Sequence, residues 1–264
     1  MVGKRIRMDR IFNRNTKRSI IIAMDHGMSM GPIKGLVNME ETMNKVVEGG
    51  ANAVIVHKGI VRMGYRGYGE DIGLILHLSG STSLNPDPND KELVSTVEHA
   101  IKIGADGVSV HINVGAPNES KMIKQLGLVA EEADNWGMPL LAMMYPRGHE
   151  IKNPEKHVAH VVRVGVELGA DIIKTPYTGN VETFMEAVDG AGNMPVVIAG
   201  GPKMDTTKDV LQMVYDSLHA GGAGVSLGRN VFQAKDPVKM VKALDALIHR
   251  KKSVEEALGI AGDQ

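Results

Sequence analysis

Lys174 closes the run Ala170-Asp171-Ile172-Ile173-Lys174, an apolar segment that reads as a buried strand carrying one ammonium at its end. An ammonium taken out of water either finds a partner or gives up its proton, and the neutral amine can attack a carbonyl carbon. Lys174 is therefore a candidate Schiff-base nucleophile. The competing reading is a strand-end lysine whose stem lies on apolar surface while its head reaches water. Two other residues could move protons for it. Asp25 follows Ile20-Ile21-Ile22-Ala23-Met24 and precedes His26-Gly27. Its carboxylate could serve as general base or hold the Lys174 ammonium, or it could simply cap the next helix. Tyr145 ends Leu140-Leu141-Ala142-Met143-Met144, where a phenol could pass a proton to a substrate hydroxyl or sit hydrogen-bonded in a core.

Two glycine-rich segments, Ala199-Gly200-Gly201-Pro202-Lys203 and Ser226-Leu227-Gly228-Arg229-Asn230, offer exposed backbone N–H groups to a phosphate, with Arg229 adding a forked charge. His26, His57, His77 and His111 form a rival constellation that could ligate a divalent metal, as in a metal-dependent aldolase. None of these four has the spacing of a helical ligand pair. His157 and His160 do, but on a helix expected to face solvent. The chemistry is therefore read without a metal or other cofactor.

These residues need a frame that brings them together. Eight short β-branched runs recur: Ser19 to Met24, Ala53 to Val56, Leu74 to Leu78, Gly107 to His111, Pro139 to Met144, Asp171 to Lys174, Pro195 to Ala199 and Gly224 to Leu227. Helical periodicity fills most gaps, over Asp90 to Ile103, Ser120 to Trp136, Pro154 to Leu168, Val181 to Asp189 and Thr206 to Ala220. A loop is expected at Gly59 to Gly73. Alternation of this kind implies parallel strands joined by right-handed crossovers. Gly49-Gly50-Ala51-Asn52, Gly104-Ala105-Asp106, Gly169-Ala170-Asp171 and Gly221-Gly222-Ala223 repeat one helix-to-strand turn, each with a glycine able to take the left-handed cap. Eight such units predict a single (β/α)8 TIM barrel domain over residues 1–264, with a doubly wound sheet as runner-up. Residues 1–18 are expected to form a solvated amphipathic helical lead-in. Residues 253–264 form a last helix and tail, opened by the capping box of Ser253 and Glu256. In a barrel every candidate above falls at the C-terminal ends of the strands, where barrel enzymes carry their sites.

Composition narrows the classes further. At 264 residues and 43% hydrophobic, the chain can build a sizeable core, and with no cysteine it has no thiolate nucleophile or disulfide framework. A net charge of -1 argues against a nucleic-acid partner. No apolar stretch approaches the roughly 18 residues of a membrane span and no signal-peptide core opens the chain, so a cytoplasmic protein is expected.

The motifs Met24-Asp25-His26-Gly27, His57-Lys58-Gly59-Ile60, Met143-Met144-Tyr145-Pro146-Arg147-Gly148, Ile172-Ile173-Lys174-Thr175, Ala199-Gly200-Gly201-Pro202-Lys203 and Gly228-Arg229-Asn230, taken together, resemble the archaeal class I (DeoC/FbaB-like) aldolase family. The match runs over about residues 4 to 258. The resemblance implies Lys174 as the Schiff-base lysine, Tyr145 as proton donor and Asp25 as the acid/base carboxylate. It also implies phosphate binding at Gly200, Gly201, Gly228 and Arg229. Substrate contacts are expected from His26, Gly27, Met28 and Ser29, from His57 and His111, and from Pro146 and Arg147. Arg66 to Gly69 and Ala142 to Gly148 look closer to the synthase branch of the family than to its fructose-bisphosphate aldolases, which carry Trp where Met143 stands. That branch implies transfer of a fragment of a ketose phosphate, 6-deoxy-5-ketofructose 1-phosphate, to L-aspartate semialdehyde on a route to aromatic amino acids. The fructose-bisphosphate aldolase is the alternative. The family also implies a homo-oligomer, with a decamer of two pentamers expected.

Overall fold

The computed structural model describes residues 1–63 and 69–262. Eight parallel strands close into a barrel: β1 Ser19–Ala23, β2 Ala53–Val56, β3 Gly73–His77, β4 Gly107–Val114, β5 Leu140–Pro146, β6 Ile172–Pro176, β7 Val196–Ala199 and β8 Gly224–Leu227. Each strand pairs with its sequence neighbours, and β8 returns to β1 through the register Ile21↔Ser226. Closure settles the barrel against the open doubly wound sheet.

The period of two along a strand sorts side chains between the barrel interior and the helix-facing surface. Ile21, Ile55, Ile75, Leu141, Ile172 and Val197 form one buried interior cluster, while Ile20, Val54, Leu76, Leu140, Ile173 and Val196 belong to the cluster under the helices. Each of these side chains, removed from water, contributes about 1.5–3 kcal/mol. Two steps along β6 from interior Ile172 comes Lys174, which therefore stands on the interior face, level with Met143 of β5 and Val197 of β7.

The repeated helix-to-strand turn is present as expected. Gly50, Gly104, Gly169 and Gly221 take φ of 96°, 80°, 89° and 92°. The polar residue after three of these turns has a part that sequence reading missed. Asn52 Oδ1 accepts from Ile20 N at 2.7 Å, Asp106 Oδ2 from Leu74 N at 2.9 Å and Asp171 Oδ2 from Leu140 N at 2.9 Å. Each ties the foot of one strand to the foot of the strand before it.

The lead-in corrects one expectation. Helix Val2–Ile11 does not lie solvated beside the domain. Its last residue Ile11, with Phe12, is buried in the interior cluster and plugs the bottom of the barrel. The basic side chains clamp it there: Lys4 Nζ reaches Asp134 at 3.0 Å and Asp171 at 3.1 Å, and Arg10 Nε reaches Asp106 at 2.9 Å. After β2 a short helix, Lys58–Met63, stands where a loop was expected. Arg66, Gly67 and Tyr68 of the Arg66–Gly69 motif lie outside the described residues, as do residues 263 and 264.

The expected helix from Asp90 begins only at Val97, capped by Thr96 Oγ1 accepting from His99 N at 3.1 Å. Upstream of that cap the chain is held extended, because Glu92–Leu93 pairs antiparallel with Ser79–Gly80 and Val94 N bonds Leu78 O at 2.7 Å. This folds the β3–β4 connection over the mouth. The capping box of Ser253 and Glu256 opens the last helix, Val254–Ala261. Among the described residues no helix is long and apolar enough to cross a membrane.

Candidate active site

A cavity of about 330 Å³ opens at the C-terminal end of the barrel. Asp25, His26, Ser29, His57, His111, Tyr145, Arg147, Lys174, Gly200, Gly201, Gly228 and Arg229 all line it, so most of the expected site residues converge. Gly27, Met28 and Pro146 do not reach its wall: Gly27 and Met28 lie exposed on the short helix His26–Met30, and Pro146 is buried at the end of β5.

Lys174 is 5% exposed, and among the described residues its Nζ makes no hydrogen bond or ion pair. A snorkelling strand-end lysine would place its head in bulk water. This one presents an amine to an enclosed cavity. Asp25 occupies the N-cap position of His26–Met30 but makes no capping bond, which removes the capping alternative. Its oxygens face His26 Nδ1 at 3.6 Å and His77 Nε2 at 3.8 Å. Burial opposes its ionisation, but His77, Lys174, His26 and His57 together hold its carboxyl well below the ordinary carboxylate range. Burial also pulls His77 down to about 3 against the field of Asp25. At neutral pH His77 is thus uncharged, and Lys174 is the next of the groups whose field lowers Asp25.

Tyr145 is 7% exposed, and its hydroxyl makes no hydrogen bond among the described residues, unlike a satisfied core tyrosine. Its ring lies 4.8 Å from that of His111 and carries the Arg147 guanidinium 4.3 Å above it. The phenol is therefore held by its ring and left free at its oxygen.

The glycine loops of β7 and β8 are cross-linked by Asn230, a residue sequence reading had only counted in a motif. Its Nδ2 donates to Gly200 O at 2.9 Å, and its Oδ1 accepts from Met204 N at 2.8 Å. Arg229 donates to Gly201 O at 3.0 Å. Gly201 needs its φ of 63°, and a methyl at Gly228 would strike the Ala23 carbonyl and the His26 ring. Arg229 Nε, Ser226 Oγ and His26 Nδ1 are buried there without a hydrogen-bond partner, so the pocket holds polar atoms left for a ligand.

The four imidazoles do reach the mouth, but three of them are turned to other work. His77 Nδ1 meets Ser109 Oγ at 2.8 Å, His111 Nε2 meets Asn113 Oδ1 at 2.9 Å, and His57 donates to the His77 carbonyl. Among the described residues no three His, Asp, Glu or Cys side chains are grouped to hold one metal ion. Lys91 and the Ser79–Ser83 segment also line the cavity, and neither was expected.

The imidazoles carry a consequence for stability. Burial lowers His26, His57 and His111 as well as His77. A group that binds its proton more weakly when folded stabilises the native state fully above its unfolded pKa, near 6.5 for His, and loses that contribution as pH falls toward the folded value. For His77, with a folded value of about 3, the loss by pH 5 is about 2 kcal/mol. The urea midpoint should therefore drop between pH 7.5 and pH 5, and His77→Asn should flatten that drop by about this amount. Equal pH dependence in variant and wild type would refute this account. Asp25, depressed from the carboxylate range, withdraws its own contribution only below about pH 4.

Residues 19–234 match the model of the DeoC/LacD family of aldolases. The chain is 44% identical over 263 residues to 2-amino-3,7-dideoxy-D-threo-hept-6-ulosonate synthase 1 of Archaeoglobus fulgidus, covering 100% of this chain and 97% of that one. It is 40% identical over 262 residues to the 2-amino-4,5-dihydroxy-6-oxo-7-(phosphonooxy)heptanoate synthase of Streptomyces griseus, covering 98% and 95%. Among solved structures it resembles an archaeal fructose-1,6-bisphosphate aldolase whose catalytic lysine is bound to a carbinolamine intermediate. The TM-score is 0.85 at 34% identity, covering 93% of this chain and 99% of that one.

Proposed function

Because the chain belongs to the DeoC/LacD family of aldolases, we propose that it forms a Schiff base at Lys174 and transfers a fragment of a ketose phosphate to L-aspartate 4-semialdehyde. The product is 2-amino-3,7-dideoxy-D-threo-hept-6-ulosonate, a precursor on an alternative route to 3-dehydroquinate and aromatic amino acids. Full-length identity of 44% to a synthase of that name supports this reading. The observation that carries it is the unpaired Lys174 Nζ, enclosed with the Asp25 carboxylate and the free Tyr145 hydroxyl.

Neutral Lys174 adds to a ketone of 6-deoxy-5-ketofructose 1-phosphate, and Tyr145 protonates the carbinolamine oxygen as water leaves. The iminium draws electrons from the neighbouring C–C bond. Asp25 takes the proton of the hydroxyl on the carbon that leaves as an aldehyde, and an enamine stays on Lys174. The enamine carbon attacks the aldehyde of L-aspartate semialdehyde, Asp25 returns its proton to the new alkoxide, and water releases the product and Lys174. Lys174 is the electron sink throughout, so this route calls on no metal. Gly200, Gly201, Gly228 and Arg229 are proposed to bind phosphate, and His26, His57, His111 and Arg147 to contact substrate.

Incubation with L-aspartate semialdehyde and 6-deoxy-5-ketofructose 1-phosphate should yield the amino-ulosonate by mass spectrometry. Rapid cleavage of fructose 1,6-bisphosphate with no condensation product would give the chain to the aldolase branch instead. A cytoplasmic homo-oligomer, decameric by family resemblance, is part of the same proposal and is read by light scattering.

A further inference from the structure

Lys91 and Arg147 line the same cavity as Lys174 from two different connections, Lys91 between β3 and β4 and Arg147 just after β5. In the closed strand order the β3–β4 connection is opposite the glycine loops of β7 and β8. Neither cation has a carboxylate within ion-pair distance among the described residues. Lys91 Nζ donates to Ser81 Oγ and to Pro88 O at 2.9 Å, which fixes the head and leaves its third N–H unused. Among the described residues the Arg147 guanidinium is held by the Tyr145 ring alone, at 4.3 Å. Two like charges face one cavity with no carboxylate paired directly to either, so an entering anion would be favoured there.

Chemistry says which anion. In a transaldol step the ketone fragment stays on the lysine while the aldehyde partner exchanges, and the incoming aldehyde carbon takes the place of the one that left. The cation pair includes the exposed rim residue Arg147, which suits the partner that must come and go. The geometry points to Lys91, with Arg147, as an aldehyde-side anion subsite that receives the carboxylate of the acceptor. This rests on the transaldol reading above. The proposed product ends in a methyl ketone, so the donor's phosphate departs with its aldehyde, and the subsite is open to the carboxylate when the acceptor enters. Burial first, and then the charge of Arg147, lower the proton affinity of Lys91 against the fields of Asp25, Asp87 and Asp90. The charges of Lys91 and Arg147 also act on His111, whose ring lies against that of Tyr145.

The test compares two acceptors, L-aspartate semialdehyde and 3-aminopropanal, which is the same aldehyde without its carboxylate. For Lys91→Met the ratio of kcat/KM between them should fall about 10- to 100-fold, the range for deleting one partner of a charge-assisted hydrogen bond. Lys91→Arg should recover part of it. Because the ratio is internal to each variant, a general loss of activity or folding does not move it. An unchanged ratio would overturn the assignment. A higher KM for the ketose phosphate alone, with the ratio intact, would also overturn it and leave the pair as a phosphate clamp. Failure of the wild type to condense either acceptor would sink the transaldol reading itself, and that outcome is seen before any variant is made.

Discussion

Lys174→Met is expected to lower kcat by at least about 10⁴-fold and to abolish the borohydride-stabilised adduct between protein and ketose phosphate. The fold should survive. Methionine matches the lysine stem in length, and position 174 is 5% exposed on an interior face shared with Met143 and Val197. Removing Lys174 takes away one of the groups whose field lowers the buried Asp25, so the melting temperature should fall somewhat while the barrel still folds. Reduction with borohydride in the presence of substrate, followed by peptide mass mapping, checks the covalent step directly. Lys91 is the other lysine lining the cavity and the natural control. Its Nζ is engaged by Ser81 and Pro88, whereas that of Lys174 is unengaged. An adduct on Lys91 in the wild type would transfer the nucleophile's role and end the assignment of Lys174.

The contrast between these two lysines shows what could be read from sequence. Lys174 announced itself because a charge at the end of Ile172-Ile173 is out of place, and barrel periodicity then fixed where it points. Asp25 and Tyr145 were legible for the same reason, each being a polar residue ending a continuous apolar run. Lys91 sits in Asp87-Pro88-Asn89-Asp90-Lys91-Glu92, where mixed charges read as solvated chain. Only the tertiary pairing of Gly80 with Glu92, and of Asn113 Nδ2 with Asn89 O at 2.8 Å, turns that segment over the mouth. The same logic fails for the lead-in helix. Its charges looked like a solvated face, yet their partners Asp106, Asp134 and Asp171 come from distant turns and helices. Local pattern reports what a segment can bury. It does not report which distant carboxylate completes it.

Asp25→Asn should lower kcat for cleavage by about 10²- to 10⁴-fold while leaving the borohydride adduct at Lys174 detectable. The reason lies in how charge is distributed along the proposed route. A carboxylate held well below its ordinary range is a poor base, which at first sight disqualifies Asp25. Its low proton affinity, however, is owed to neighbouring groups acting against burial, and with His77 uncharged above about pH 3 the next of them is Lys174. In the iminium the positive charge of Lys174 persists, and Asp25 stays ionised beside it. As the C–C bond breaks, electrons flow to the iminium nitrogen and cancel its charge, so a cation that helped hold Asp25 ionised disappears in the step that delivers a proton to Asp25. An ion pair in a buried site is converted to two neutral groups, the direction that burial favours. Base strength thus rises as the reaction calls for it. Asparagine accepts no proton and carries no charge to balance the iminium, so the intermediate should form and then stall. Rapid-quench measurement of adduct against released aldehyde distinguishes the two variants: Asp25→Asn accumulates adduct and releases little, and Lys174→Met forms none. A cleavage rate for Asp25→Asn within about five-fold of wild type would move the base to another residue, since a lost proton acceptor costs more than that.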